Sequence, residues 1–98
     1  MARETEFLAL DDVAVRAVNG PNSRHVALIE DAFKVLVEAP GGGVSINGGA
    51  RDQANAKQVI QTLTERAAKG ATVTEADVRA ALGEVRGGGR STGDLMAL

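Results

Sequence analysis

Cysteine is absent from the 98 residues, which excludes disulfides, thiolate metal sites and cysteine nucleophiles. Tryptophan and tyrosine are absent as well, and Phe7 and Phe33 are the only phenylalanines, so the core must be aliphatic and platforms for stacking nucleobases are lacking. There is a single histidine, His25, on which any histidine-based nucleophilic triad would depend. It stands beside Arg24 at a helix start and reads as a solvent-facing residue rather than a general base. No apolar run approaches the roughly 18 residues of a membrane span. The opening Met-Ala-Arg-Glu-Thr-Glu mixes charges without an apolar run, so it is not a signal peptide and a cytoplasmic location with no membrane partner is expected. No loop has EF-hand spacing and no metal-ligand set is visible, so no cofactor is expected. An excess of positive charge is missing too. The net charge of −2 and the pI near 5.3 argue against a dedicated, tight nucleic-acid binder.

What remains is one small domain, 44% hydrophobic, organised around a turn. Asn19, Gly20, Pro21, Asn22 and Ser23 favour special backbone angles or local side-chain bonds. Directly after them Val26, Ile29 and Phe33 recur at helical spacing, with Ser23 or Asn22 placed to cap the helix. A glycine turn feeding a helix N-terminus aims backbone N–H groups outward at the positive end of a dipole, a ready anion or phosphate site. The plainer reading is a loop joining two helices. Arg16, Arg24 and Lys34 flank the turn and give an acidic protein a weak local positive face.

Residues 5–10 read as a strand anchored by Phe7. Asp11-Asp12 supplies an N-cap signal, but residues 13–18 are open between a strand, from their β-branched content, and a short helix ended by Asn19-Gly20. Residues 34–40 contain Val35-Leu36-Val37 and end at Pro40, which makes a strand, and Val44-Ser45-Ile46-Asn47 alternates as a second one. With Gly41-Gly42-Gly43 between them they form an antiparallel hairpin. Residues 50–69 form the clearest helix, with Ala56, Val59, Ile60, Leu63 and Ala67 on one stripe and Gly70 as its stop. A last helix opens at Thr74-Glu75-Ala76-Asp77, a capping box with aspartate in the usual Glu position, and carries Val78, Ala81, Leu82 and Val85 on its apolar side. Residues 1–86 thus form the domain, and 87–98 read as a flexible Gly-rich tail or linker.

This order resembles that of a type I KH domain, in which a GxxG loop joins two helices and a variable loop joins the last two strands. Gly20-Pro21-Asn22-Ser23 stands where GxxG belongs, and Val44-Ser45-Ile46-Asn47-Gly48 resembles the strand before the final KH helix. The resemblance implies an α+β fold of order β-α-α-β-β-α, with a three-stranded antiparallel sheet against helices and an extra C-terminal helix. It turns the open segment 11–18 toward helix. The chain is more closely similar to the small KH-like N-terminal domain of PhoH-like ATPases, through Gly20-Pro21, Leu28-Ile29-Glu30, Ser45-Ile46-Asn47-Gly48, Gly70 and Thr74-Glu75-Ala76-Asp77-Val78 over residues 5–86. Three departures stand out. Ser23 replaces the second glycine of GxxG, three glycines replace the basic hairpin loop, and no P-loop signature follows. The chain is therefore expected to have no ATPase activity and no catalytic residues of its own.

The KH resemblance implies that Gly20, Pro21, Asn22 and Ser23 approach the phosphates of single-stranded RNA with Arg24 assisting, while Val26, Ile29 and the Lys34 to Leu36 edge floor a groove for the bases. The PhoH resemblance implies a downstream ATPase domain or a protein partner. The alternative is a KH-like fold that has lost RNA binding and serves assembly, through the hairpin edge or through Val78, Leu82 and Val85 of the last helix.

Overall fold

A computed structural model describes residues 4–97, with side chains described for 5–86. The elements are β1 (Glu4–Ala9), α1 (Asp12–Asn19), a 3-10 turn (Pro21–Ser23), α2 (Arg24–Phe33), β2 (Leu36–Glu38), β3 (Gly43–Gly48), α3 (Ala50–Ala68) and α4 (Glu75–Ala97). The expectation of a Gly-rich tail over 87–98 lies outside the residues whose side chains are described. Among the described residues no helix is long and apolar enough to cross a membrane.

The open segment is a helix. Asp11 caps it, its Oδ1 accepting the Ala14 N–H at 2.8 Å, and Gly20 ends it by donating to the Arg16 carbonyl at 2.8 Å. Valine's strand preference yields because this cap and the burial of Ala14 and Val18 on one side of the helix act together. β2 and β3 pair antiparallel, as the glycine loop predicts, and β1 joins the other side of β3, giving the sheet order β1-β3-β2. This is the α+β, KH-like arrangement, with α4 added.

Alternation divides the sheet. Val37, Val44 and Ile46 face the helices and are buried, joining Val18, Ile29 and Phe33 in the core. The stripe of α3 supplies Ala56, Val59, Ile60 and Leu63 to the same core. The outer sheet face carries Phe7 and Leu36, 50% and 49% exposed, with Ser45 and Asn47 between them on β3. Val78 and Leu82 are buried and Val85 packs against them, so the apolar side of α4 belongs to the core and is not the free patch an assembly surface needs.

The α4 capping box is present with its aspartate. Thr74 N–H donates to Asp77 Oδ2 at 2.9 Å, and Asp77 N–H donates back to Thr74 Oγ1 at 3.2 Å. The first of these bonds holds the Asp77 carboxyl below its ordinary range. Glu75, in the same turn, accepts from Arg24 of α2 at 3.1 and 3.2 Å and from Arg79 at 3.0 and 2.8 Å. The Arg24 bond, then the Arg79 bond, pulls its pKa down to about 2. A depressed carboxyl contributes stability that is present above its unfolded value of about 4.5 and is lost as the pH falls toward about 2. Melting temperatures measured from pH 5 to pH 2 (a range chosen about those two values) should therefore fall more steeply for the native chain than for Glu75→Gln. Equal slopes would show that the pair contributes nothing, as many exposed pairs do.

Candidate functional site

The turn between α1 and α2 is built from backbone conformations that most residues avoid. Gly20 has φ 70° and ψ 176°, a region open in practice only to glycine. Asn22 and Ser23 follow at φ 54° and 59°, both left-handed. Asparagine tolerates that geometry and serine does so at a cost. Pro21, Asn22 and Ser23 are all exposed, so no packing interaction accounts for the strain. Contrary to expectation, neither Ser23 nor Asn22 caps α2. In the left-handed conformation Ser23 makes no side-chain cap; its own N–H donates back to the Gly20 carbonyl at 3.2 Å, and the Arg24 N–H donates to the Pro21 carbonyl. Glycine at 23 would relieve the torsion while adding freedom to the unfolded chain, so Ser23→Gly should stabilise by about 0.5–1 kcal/mol. A thermal melt reads this directly, and a destabilised Ser23→Gly would mean that the hydroxyl has a role unseen here.

Beneath the turn lies His25, and the expectation of a solvent-facing residue is overturned: it is 2% exposed. Its Nδ1 donates to the Ala17 carbonyl at 2.9 Å, tying α2 back to α1. The ring occupies the space where a side chain at Gly20 would project. A signal for this was available, since His25 stands four residues before Ile29 and eight before Phe33, on the buried stripe of α2. Gln53 was missed for the same reason. It continues the α3 stripe one turn toward the N-terminus and, buried, donates to the Ile46 carbonyl at 3.1 Å.

The nine residues expected to form the site do not converge. Gly20, Pro21, Asn22 and Ser23 make one continuous turn. Arg24 reaches away from them to Glu75 on α4, so its guanidinium is not directed at a phosphate on the turn. Val26 and Ile29 are 8% and 0% exposed and form core, because a helix laid on a sheet turns its apolar stripe inward. Lys34 closes α2 in a left-handed conformation and pairs with Asp31 at 3.6 Å. Leu36 lies on the outer sheet face.

Two features lie on either side of the turn. On the α2–β2 side Glu30 Oε2 accepts the Val37 N–H at 2.9 Å. Edge strand β2 thus has this backbone donor occupied by a carboxylate, a protection that edges commonly need. On the α1–α3 side an open cavity of about 730 Å³ is bounded by the turn, by Val13, Arg16 and Ala17 of α1, and by the segment from Ala67 to Val73. His25 contributes to its wall. No cluster of carboxylates and histidine that could hold a metal ion occurs among the described residues.

Neither a family model nor a curated protein sequence matches the chain. Among solved structures it is similar to Dim2p from Pyrococcus horikoshii, with TM-score 0.66 and 21% identity over 82% of this chain and 48% of that one. It is likewise similar to a chain of the a/eIF2alpha–aDim2p–rRNA complex from the same organism, with TM-score 0.66 and 22% identity over 83% and 45%. The chain thus spans just under half the length of each of these structures. At this level of identity what they share with it is the fold, and that fold is KH-like.

Proposed function

We propose that this chain is a KH-like module that holds the backbone of single-stranded RNA weakly at the turn formed by residues 20–23. The observation that carries the reading is the turn itself. Two consecutive left-handed residues, Asn22 and Ser23, exposed and without a packing reason, follow Gly20 at the side-chain-uncapped N-terminus of a ten-residue helix. Backbone strain without a packing cause is characteristic of ligand clamps, and the positive end of the α2 dipole suits a phosphate. The similar structure that includes rRNA supports the reading at the level of the fold. The five landmarks shared in order with PhoH-like proteins support a parent of that kind, in which such a module accompanies an ATPase.

Weak binding follows from what the turn lacks. Arg24 is engaged with Glu75, and Gly41-Gly42-Gly43 brings no cation. With one or two phosphates held, log affinity should fall with log salt at a slope of about −1. An NMR titration with short single-stranded RNA at low salt should move the Gly20, Asn22 and Ser23 amides and leave Leu36 unmoved. Asn22→Asp with Ser23→Asp should remove the shifts, since aspartate tolerates left-handed geometry and repels phosphate. Absence of shifts at low salt would overturn the reading.

The outer sheet face favours a second reading, assembly through Phe7 and Leu36. Self-association that survives moderate salt and disappears in Phe7→Ser would support it.

A further inference from the structure

We infer that a strand held at the 20–23 turn places its base in the cavity on the α1–α3 side, against His25, and not between α2 and β2. This rests on the turn's holding a phosphate, and it adds where recognition of the attached base takes place.

The α2–β2 side is closed to a base edge. The Val37 N–H, which an incoming base or strand would need, is already bonded to Glu30. Displacing that bond would leave an unpartnered carboxylate facing a polyanion, an arrangement that costs on both counts.

The other side is open and chemically suited. Its volume of about 730 Å³ lies within the range of small-molecule sites, roughly 300–1,000 Å³. Val13, Ala17, Ala67 and Val73 give it aliphatic walls for the faces of a flat ring where no aromatic is present. In the tautomer that donates from Nδ1 of His25 to the Ala17 carbonyl, the lone pair is on Nε2. That nitrogen has no hydrogen-bond partner among the described residues and is the part of this buried residue left open to solvent, since no sealed side-chain nitrogen is left unpaired there. An N–H donor on a base edge would satisfy it. At the rim Arg16 makes no ion pair among the described residues and can face a phosphate, the part that Arg24 does not fill.

The test compares a short adenosine oligoribonucleotide with an abasic ribose-phosphate oligomer of equal length, by fluorescence anisotropy at low salt. The base-bearing oligomer should bind about tenfold more tightly, at the low end of what a seated base contributes. Ala71 is exposed beside the cavity, so Ala71→Leu narrows it without touching the core and without adding a stacking ring, and the two affinities should draw together. Leu36→Asp should leave the ratio unchanged. In the native chain the His25 Nε2 resonance should move with the adenosine oligomer and not with the abasic one. A ratio untouched by Ala71→Leu, or two oligomers bound equally by the native chain, overturns the base site alone. Failure of both oligomers to bind removes the phosphate reading of the turn, and the base site with it.

Discussion

Gly43→Ala should cost about 4 kcal/mol, enough to unfold much of a small domain whose whole stability lies at the low end of roughly 5–15 kcal/mol. Gly43 pairs with Ala9 where β1 crosses β3. A methyl group there would press on the Leu8 carbonyl oxygen and lie 2.9 Å from both the Leu8 carbonyl carbon and the tip of the Phe7 ring. The first two are backbone atoms of a paired strand, so relief requires β1 to leave the ladder. Residue 43 also has φ 155°, which adds torsional strain to crowding. Gly41→Ala separates the two effects, because Gly41 has φ 133° and nothing within 4 Å of the added carbon. It should cost only about 1 kcal/mol. Urea unfolding of both variants decides the matter, and equal midpoints would mean that crowding against β1 has been overstated.

The second large effect is expected at Gly20→Ala, about 3 kcal/mol, or a melting temperature lower by roughly 12–24 °C. The new carbon would meet the His25 ring, with Cδ2 only 2.6 Å away, at a backbone conformation that alanine does not adopt. The ring cannot swing clear without giving up its bond to Ala17 and its place under the turn. A double-mutant cycle isolates the clash. In a His25→Ala background the same glycine substitution should cost only the torsional part, leaving a coupling of about 1–2 kcal/mol. Additive costs would show that the ring yields freely. Loss of RNA binding in a Gly20 variant would consequently report unfolding, which is why the substitutions that test binding are placed at Asn22 and Ser23.

The architecture was legible wherever a local pattern decided it. The hairpin around Gly41-Gly42-Gly43, the stripe of α3 and the Thr74–Asp77 capping box each follow from residues only a few positions apart. The helix over α1 needed more than its own residues, since alternating valines are equally consistent with a strand and the decision rests on packing. The site was less legible. The turn was found, but not the direction in which its neighbours point. Arg24 turns to Glu75 fifty-one positions away, and nothing near Arg24 in the sequence indicates that partner. Glu30 stands in a motif legible from sequence, whereas its bond to Val37 depends on where α2 sets its edge beside β2. His25 was misplaced because a histidine beside an arginine looks solvated, although its spacing to Ile29 and Phe33 already put it inside.

The central place of β3 has a consequence in time. Its hairpin partner β2 is a short loop away, but β1 must wait for a strand that follows α1, α2 and β2 in the chain. Closing the short loop costs little entropy and closing the long one costs more, so the sheet grows outward from the hairpin and β1 joins last. During synthesis β1 is nevertheless the first strand of the sheet to emerge. At about 5–20 residues per second, its residues Phe7 and Leu8 spend roughly 2–8 s without their sheet partner. Interspersed Glu4 and Glu6 keep that waiting segment charged, and Glu6 meets Lys57 at 2.7 Å only once the sheet and α3 have come together.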